Sequence, residues 1–125
     1  MFYECESDLA ATQAFVASRL RDRATTFYIA VVDEAPAGFM QLLPAFDTLG
    51  LMPAWILEDL FVAPAYRKRG VASALLAHAE HIGRAGGASR ILLSTAHTNE
   101  TAQRVYVAHG YEHDLVFRTY RRTLP

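Results

Sequence analysis

The residues best suited to binding a ligand form a short basic stretch between an apolar run and the start of a helix. Three consecutive cations, Arg67 to Arg69, are followed by Gly70 and Ala72 in the order Arg-x-x-Gly-x-Ala. A helix start exposes unpaired backbone N–H groups and the positive end of the helix dipole. Small residues let a phosphate approach these donors closely, and the cations add positive charge. The stretch therefore predicts a phosphate-binding loop at a strand-to-helix junction.

A run of cations is more often a solvated surface loop, so the basic stretch has a structural explanation as well. The Gly-x-Ala sequence favours phosphate binding, with the backbone N–H groups from Arg69 to Ser73 as the main donors. A dinucleotide fingerprint requires Gly-x-Gly-x-x-Gly and a P-loop requires Gly-Lys-Ser/Thr. Neither pattern occurs at this position, so neither of those nucleotide-binding loops is predicted.

Two neighbouring carboxylates, Glu58 and Asp59, interrupt an otherwise apolar strand. Adjacent residues on a strand point to opposite faces. A carboxylate buried without a partner is costly, and burial raises its pKa towards the range useful for a general base. The alternative is a hydrogen-bonded structural carboxylate. Both interpretations stay open for Glu58, whereas the structural one is favoured for Asp59.

Other polar residues have simple structural explanations. Tyr106 lies in a helical pattern, where aromatic residues usually pack in the core, and Asn99 can cap that helix. His78 and His81 are three residues apart but lack a third ligand, and Cys5 is the only cysteine. The sequence therefore predicts no metal site and allows no internal disulfide.

The elements that position these residues alternate between strands and helices. Ser7 caps a predicted helix that ends at the charged stretch Arg19 to Arg23. Phe27–Val32 and Phe39–Leu43 are predicted strands joined by a turn, which makes them a hairpin. A loop over residues 44–53 leads to a third strand, Trp55–Val62.

The second half of the chain contains a predicted crossover. An apolar stripe from Val71 to Ile82 predicts a helix that ends at Gly83, Gly86 and Gly87. Ile91–Thr95 is then a buried strand parallel to Trp55–Val62. A second helix runs from Asn99 to His109 and stops at Gly110, and Leu115–Leu124 supplies one or two final strands. The predicted fold class is α/β, with a mixed central sheet flanked by helices.

Composition limits the function classes. The 125 residues fit one domain, 1–125, and a 52% hydrophobic and 20% charged composition is typical of a globular protein. A net charge of −1 disfavours nucleic-acid binding, since no broad basic surface is implied. No apolar run reaches the length of a membrane span and no signal-peptide pattern is present, so we expect a cytoplasmic protein.

Two blocks of residues resemble the GCN5-related N-acetyltransferases, the GNAT family. The first is the Glu-Asp-aromatic strand followed by Arg67, Gly70 and Ala72, which matches the family signature Arg/Gln-x-x-Gly-x-Gly/Ala. The second block comprises Asn99, Ala102, Tyr106, Gly110 and Tyr111. The tail and the 41–46 segment look most like a histone/polyamine-type subgroup. The family's opening strand and most of its first helix are missing on this alignment, since residues 1–4 look like the end of that helix.

The resemblance implies an acetyl-CoA-dependent N-acetyltransferase without a metal. The loop would grip the pyrophosphate of coenzyme A, Tyr106 would protonate the leaving thiolate, and family position tips Glu58 towards the base. Backbone N–H groups of the Leu60–Val62 strand would stabilise the tetrahedral oxyanion. The implied cofactor-binding residues are Leu60, Phe61, Val62, Arg67, Lys68, Arg69, Gly70, Val71, Ala72, Ser73, Asn99, Ala102 and Tyr106.

The acceptor and the oligomeric state can also be predicted from the sequence. The acceptor would be a small-molecule or peptide amine, and a coenzyme A-binding module without turnover is the alternative function. Without the first strand, Phe27–Val32 becomes an apolar sheet edge, which invites pairing with another chain. We therefore expect a homodimer, joined by this edge or by exchange of the Leu115–Leu124 strands.

Overall fold

A mixed sheet with two helices forms the part of the chain that the structure describes. The computed structural model describes residues 26–125. In chain order the elements are β1 (Thr26–Val32), β2 (Ala35–Asp47), β3 (Met52–Val62), a 3-10 turn (Pro64–Tyr66), α1 (Val71–Ala85), β4 (Ile91–Leu93) and α2 (Glu100–Ala108). The strands lie in the order β1-β2-β3-β4; β1, β2 and β3 are antiparallel, and β4 is parallel to β3. The predicted mixed α/β fold is confirmed.

The hairpin of β2 and β3 is longer than predicted. The expected loop over 44–53 shrinks to a turn, because β2 continues through Pro44, opposite Trp55, and β3 begins before Pro53, opposite Phe46. Beyond Leu42, β2 has only β3 as a strand neighbour among the described residues. A proline fits a strand with one neighbour when its missing N–H would point away from that neighbour.

The core lies between the sheet and α1, and Tyr106 of α2 also packs into it. The predicted stripe of α1 is confirmed, since Leu75, Leu76 and Ala79 are all buried. The prediction that Gly83 ends this helix is wrong. Gly83 is buried inside α1, with the Ile91 side chain 3.5 Å from the place of a Cβ, so a small residue serves packing there. The core residues are Ala37, Met40, Leu42, Leu57, Leu60, Val71, Leu75, Leu76, Ala79 and Tyr106.

The predicted strands over Leu115–Leu124 are not formed. Residues after α2 have no regular secondary structure, and no backbone–backbone hydrogen bond involves residues 112–125 within the described part. Alternating β-formers make a strand only where a neighbouring strand accepts their hydrogen bonds, and none of the four described strands pairs with this tail.

The predicted first helix, from Ser7 to about Arg23, and the expected loss of the family's opening strand concern residues outside the described range. Within residues 26–125, neither helix has the length and apolar character needed to cross a bilayer.

Candidate active site

A cleft opens where β3 and β4 separate. β4 pairs only with Trp55–Leu57, so the rest of β3 has no strand on that side among the described residues. The cleft measures about 680 Å³ and lies between the end of β3, the start of α1 and one face of α2. Its lining comprises Leu60, Phe61, Val62, Tyr66, Arg67, Lys68, Gly70, Val71, Ala72, Ser73, Asn99, Thr101, Ala102, Val105 and Tyr106.

A β-bulge shapes the strand at the mouth of this cleft. Gln41 pairs with Glu58 and Phe39 pairs with Phe61, so two residues of β3 stand opposite one residue of β2. Asp59 lies in the bulge with φ of 60°, in the left-handed region. A bulge bends its strand and changes the direction of the following side chains. The bend therefore begins directly before Leu60, the first residue of the cleft wall.

The junction of β3 and α1 presents free backbone donors. Gly70 precedes α1 with φ of 80°, a conformation that glycine adopts without steric cost. The first helical hydrogen bond runs from the N–H of Ala74 to the carbonyl of Gly70. Among the described residues, no hydrogen bond uses the backbone N–H groups of residues 68–73. A group of unused donors at a helix start is an anion-binding site in physical terms.

The three cations of the loop take different positions. Arg67 donates from Nε to the carbonyl oxygen of Val62 at 3.1 Å, which ties the loop to the end of β3. Arg67 and Lys68 line the cleft. Arg69 does not line it, since its guanidinium lies 5.4 Å from the centre of the Tyr66 ring. Cation–π stacking on this ring, which itself lines the cleft, holds the Arg69 side chain.

Tyr106 lies in the cleft wall and in the core at the same time. Its side chain is only 5% exposed, and this burial raises the pKa of its hydroxyl. The ring of Tyr111 lies 6.1 Å away. Burial, with smaller contributions from Glu80 and Tyr106, raises the pKa of Tyr111 to about 12. Both hydroxyls are therefore protonated at neutral pH.

Asn99 caps α2 and lies in the cleft wall. Its Oδ1 accepts a hydrogen bond from the N–H of Ala102 at 3.2 Å, so the prediction that it caps the second helix is confirmed. The residue also lines the cleft.

The two carboxylates of β3 differ in burial, and neither lines the cleft. Glu58 is exposed, so the burial expected to raise its pKa is absent, and its role as a base stays a prediction. Asp59 is 9% exposed, and loss of solvation by burial raises its pKa. The cause is the bulge: Asp59 and Leu60 are both buried, although they are consecutive residues.

The acetyltransferase (GNAT) family matches residues 1–111 of the chain. The chain belongs to this family. An uncharacterized N-acetyltransferase of Bacillus subtilis, YhfO, is 36% identical over 124 residues, which cover 99% of this chain and 83% of that protein. The expected resemblance to the GNAT family is therefore confirmed, whereas the histone/polyamine-type subgroup stays a prediction.

Solved structures of GNAT proteins share this fold. The crystal structure of a probable acetyltransferase superposes with a TM-score of 0.91 at 37% identity and covers 99% of this chain and 83% of that one. An aminoglycoside N-acetyltransferase, AAC(6')-Iy, in complex with CoA superposes with a TM-score of 0.72 at 28% identity, covering 93% and 89% of the two chains. The protein is thus a GNAT acetyltransferase, and acetyl-CoA is the cosubstrate of such enzymes.

The start of α1 in this GNAT protein carries donors suited to a phosphate group. The backbone N–H groups of residues 68–73 make no hydrogen bond within the described residues, and Lys68 lines the same cleft. Sequence reasoning missed Tyr66, Thr101 and Val105, which also line the cleft. Val105 lies three residues after Ala102 of the family block, and Thr101 lies four residues before Val105. Helical spacing along α2 was therefore the signal that could have found both.

Proposed function

We propose that this enzyme transfers the acetyl group of acetyl-CoA to a primary amine of a small molecule by direct attack. The observation that carries the proposal is the cleft itself. Its wall contains the unused backbone N–H groups of residues 68–73 at the start of α1. The same wall contains the buried side chain of Tyr106, whose hydroxyl is protonated at neutral pH. A phosphate-binding end and a proton donor in one cleft suit an acyl carrier whose thiol is the leaving group.

The loop before α1 supplies the binding energy in this proposal. The N–H groups of residues 68–73 hold the pyrophosphate, and Lys68 and Arg67 contribute charge. Arg69 acts through its backbone, because its side chain is stacked on Tyr66. Acetyl-CoA, when bound, supplies an acetyl group activated as a thioester. Asn99 and Ala102 face the same cleft and would contact the arm that joins the pyrophosphate to the sulfur.

The base in this proposal is Asp59 instead of Glu58. An ammonium has no lone pair, so the acceptor must lose a proton before it attacks the acetyl carbon. Asp59 is buried, its pKa is raised by loss of solvation, and it directly precedes the cleft-lining Leu60. A raised pKa strengthens a carboxylate as a base near neutral pH. Exposed Glu58 lacks this advantage.

In this proposal, two further groups act on the leaving thiolate and on the acetyl oxygen. Tyr106 donates its proton to the departing thiolate. The backbone N–H of Val62 points away from β2, because that of the next residue, Ala63, donates to the carbonyl of Ala37, and it faces the side on which no described strand lies. Such an N–H would stabilise negative charge that develops on the acetyl oxygen.

The acceptor class rests on the relatives. The similar structure named an aminoglycoside N-acetyltransferase indicates that this arrangement of strands and helices accommodates amines on small polar molecules. We extend that class, a primary amine on a small polar molecule, to the present enzyme. A polyamine, which the subgroup resemblance favours, falls within this class, and a peptide amine is the competing acceptor.

A screen of amines tests the proposed function. Initial rates of free-thiol release from acetyl-CoA are measured with aminoglycosides, polyamines, small primary amines and lysine-containing peptides. We expect acceptor-dependent thiol release with at least one small-molecule amine and a mass gain of one acetyl group on that amine. Thiol release only with peptides would contradict the small-molecule proposal, and no acceptor-dependent release across the panel would contradict the proposed reaction.

A further inference from the structure

Lysine is almost absent from this chain. Of the 12 lysines and arginines together, Lys68 is the only lysine, and all the others are arginines. An arginine guanidinium stays protonated in proteins, whereas a lysine side chain can lose its proton and is a target of acetylation. Acetylation converts the lysine cation into a neutral amide. Lys68 is therefore the one of these 12 side chains whose charge an acetyl donor can remove.

The ammonium group of Lys68 is not held by the surrounding protein. Lys68 is exposed and lines the cleft beside the start of α1. Within residues 26–125, no ion pair or side-chain hydrogen bond involves it. The two flanking cations differ, since Arg67 donates to the carbonyl oxygen of Val62 and Arg69 stacks on the ring of Tyr66. Of the three cations in the loop, Lys68 thus has the only head group that no described residue holds.

The backbone at Lys68 has an unusual conformation. Its φ is 60°, in the left-handed region that glycine adopts readily and most other residues adopt at a steric cost. A long cationic side chain is retained here although the backbone favours glycine, and such outliers are concentrated at functional sites. Arginine and glutamine would meet the same backbone cost as lysine at this position. Variants with these residues therefore differ from the wild type mainly in the head group.

Acetyl-CoA can acetylate this amine without any other reactant. The positive charge of residues 67–69 attracts the phosphates of acetyl-CoA, which raises the concentration of the thioester near the loop. The neutral amine of Lys68 attacks the carbonyl carbon of the thioester, a C–N bond forms, and the C–S bond breaks with its electron pair on sulfur. The proton that the nitrogen loses passes through water to the thiolate, so the products are acetyl-lysine and free CoA.

We propose that acetyl-CoA from solution acetylates Lys68 and that this modification weakens the binding of acetyl-CoA in the cleft. The proposal rests on the proposed function, because it requires the phosphates of acetyl-CoA at the loop before α1. The lost charge lies beside the unused backbone N–H groups of residues 68–73, and the added acetyl group occupies the rim of the cleft. Prolonged exposure to acetyl-CoA thus lowers the affinity of the enzyme for its own cosubstrate, which is a form of negative feedback.

The acetylation of Lys68 is measured first. The wild type and Lys68→Arg are incubated with acetyl-CoA in the absence of an acceptor, digested with chymotrypsin and analysed by mass spectrometry. A synthetic peptide with the sequence of residues 62–73, blocked at both ends, is the control for an accessible lysine with the same neighbours. We expect one acetyl group on Lys68 of the wild type, formed at least as fast as on the peptide, and none at position 68 of Lys68→Arg.

The effect of the modification on binding is measured next. When acetylation is complete, excess donor is removed and acetyl-CoA is titrated into the treated and untreated proteins by calorimetry. We expect the treatment to weaken binding by the wild type about fivefold, the upper range for one exposed ion pair, and to leave the affinity of Lys68→Arg unchanged. Untreated Lys68→Gln, which carries a neutral amide like acetyl-lysine, should bind as weakly as the acetylated wild type. Higher salt should reduce the difference between Lys68→Arg and Lys68→Gln, because it screens the lost charge.

The outcomes separate this proposal from the proposed function. If Lys68 stays unmodified, or reacts far more slowly than the peptide, while the untreated wild type binds acetyl-CoA, only the acetylation proposal is wrong. Complete acetylation with unchanged affinity, or equal affinities of Lys68→Gln and Lys68→Arg, would overturn it as well. If no untreated protein binds acetyl-CoA although circular dichroism shows each to be folded, the proposed function is contradicted and this proposal with it.

Discussion

At the scale of single residues, the same physical effect acts on the proposed acid, Tyr106, and on the proposed base, Asp59. Both side chains are buried, and loss of solvation raises the pKa of each. The raised pKa makes the Tyr106 hydroxyl a weaker acid that stays protonated until a stronger base, such as a thiolate, accepts its proton. The same shift makes the Asp59 carboxylate a stronger proton acceptor.

Tyr106→Phe should keep acetyl-CoA affinity and slow turnover. The ring remains in the core, and only the hydroxyl that donates the proton is lost. General acid catalysis contributes about 100- to 10,000-fold, so a fall in kcat of this order is expected. Calorimetry with acetyl-CoA and steady-state kinetics measure the two quantities. An unchanged kcat would leave Tyr106 with a packing role alone.

Asp59→Asn and Glu58→Gln form a matched pair of variants. In the wild type the rate should fall as pH drops through the raised pKa of Asp59, because the protonated carboxyl no longer accepts the acceptor's proton. Asp59→Asn should lower the rate and remove that acidic limb, and Glu58→Gln should follow the wild-type profile. The reverse pattern, with the limb lost in Glu58→Gln, would return the base to Glu58.

At the scale of elements, the cleft depends on how closely β2 approaches the end of β3. A Cβ on Gly38 would lie 2.5 Å from the carbonyl oxygen of Phe61 and 3.3 Å from the Val71 side chain. This oxygen belongs to the backbone, so a side chain at position 38 must displace β3.

Gly38→Ala should therefore damage both stability and the cleft. Overpacking of this kind costs about 1–3 kcal/mol, and Phe61 and Val62 would shift in the cleft wall, which lowers acetyl-CoA affinity. Gly86→Ala is the matched control, since its Cβ would have 3.4 Å to the nearest atom. Chemical denaturation and calorimetry measure the two effects. If Gly38→Ala and Gly86→Ala have the same free energy of unfolding and the same affinity for acetyl-CoA, β2 and β3 can move apart at Gly38 without cost.

Periodicity predicted most elements because each is long enough to express its pattern. β1, α1 and α2 begin and end within a few residues of the predicted bounds. The wrong predictions of strands and helix ends have physical causes that a short stretch of sequence does not show. Pro44 and Pro53 suit strands with one neighbour, Gly83 packs inside α1 against Ile91, and the tail lacks a partner strand among residues 26–125. Each of these facts depends on residues far away along the chain.

The residues of the candidate site could be predicted to about the same extent as the secondary structure. The loop and α2 residues were found because glycine, alanine and helical spacing are local signals. The exchange of burial between Glu58 and Asp59 was not, because a bulge arises from the register between two strands.

At the scale of the whole molecule, one buried polar group beside the active site lowers the free energy of unfolding. The hydroxyl oxygen of Tyr111 is buried and has no hydrogen-bond partner among the described residues. An unsatisfied buried hydroxyl costs about 1–3 kcal/mol, so Tyr111→Phe should raise the free energy of unfolding at neutral pH. The exposed Tyr120→Phe should leave it unchanged and serves as the control.

The pH dependence of unfolding gives a second measurement on the same variant. The folded pKa of Tyr111 is raised to about 12, so the unfolded chain loses this proton first, near the ordinary value of 10.0. Wild-type stability should therefore fall as pH rises from about 10 towards 12, and the fall should be smaller in Tyr111→Phe. Identical pH profiles for the two proteins would contradict the burial of this hydroxyl.

The most direct measurement on the central claim is calorimetric titration of acetyl-CoA into Gly70→Asp and Gly70→Asn. Gly70 has φ of 80° and open space around its Cβ position, and both Asp and Asn tolerate this conformation. The two variants therefore share any backbone strain and differ mainly in a negative charge at the start of α1. We predict that Gly70→Asn binds acetyl-CoA with near wild-type affinity and that Gly70→Asp binds at least about tenfold more weakly, since the charge repels the pyrophosphate. Equal affinities in the two variants would contradict binding of acetyl-CoA at this loop.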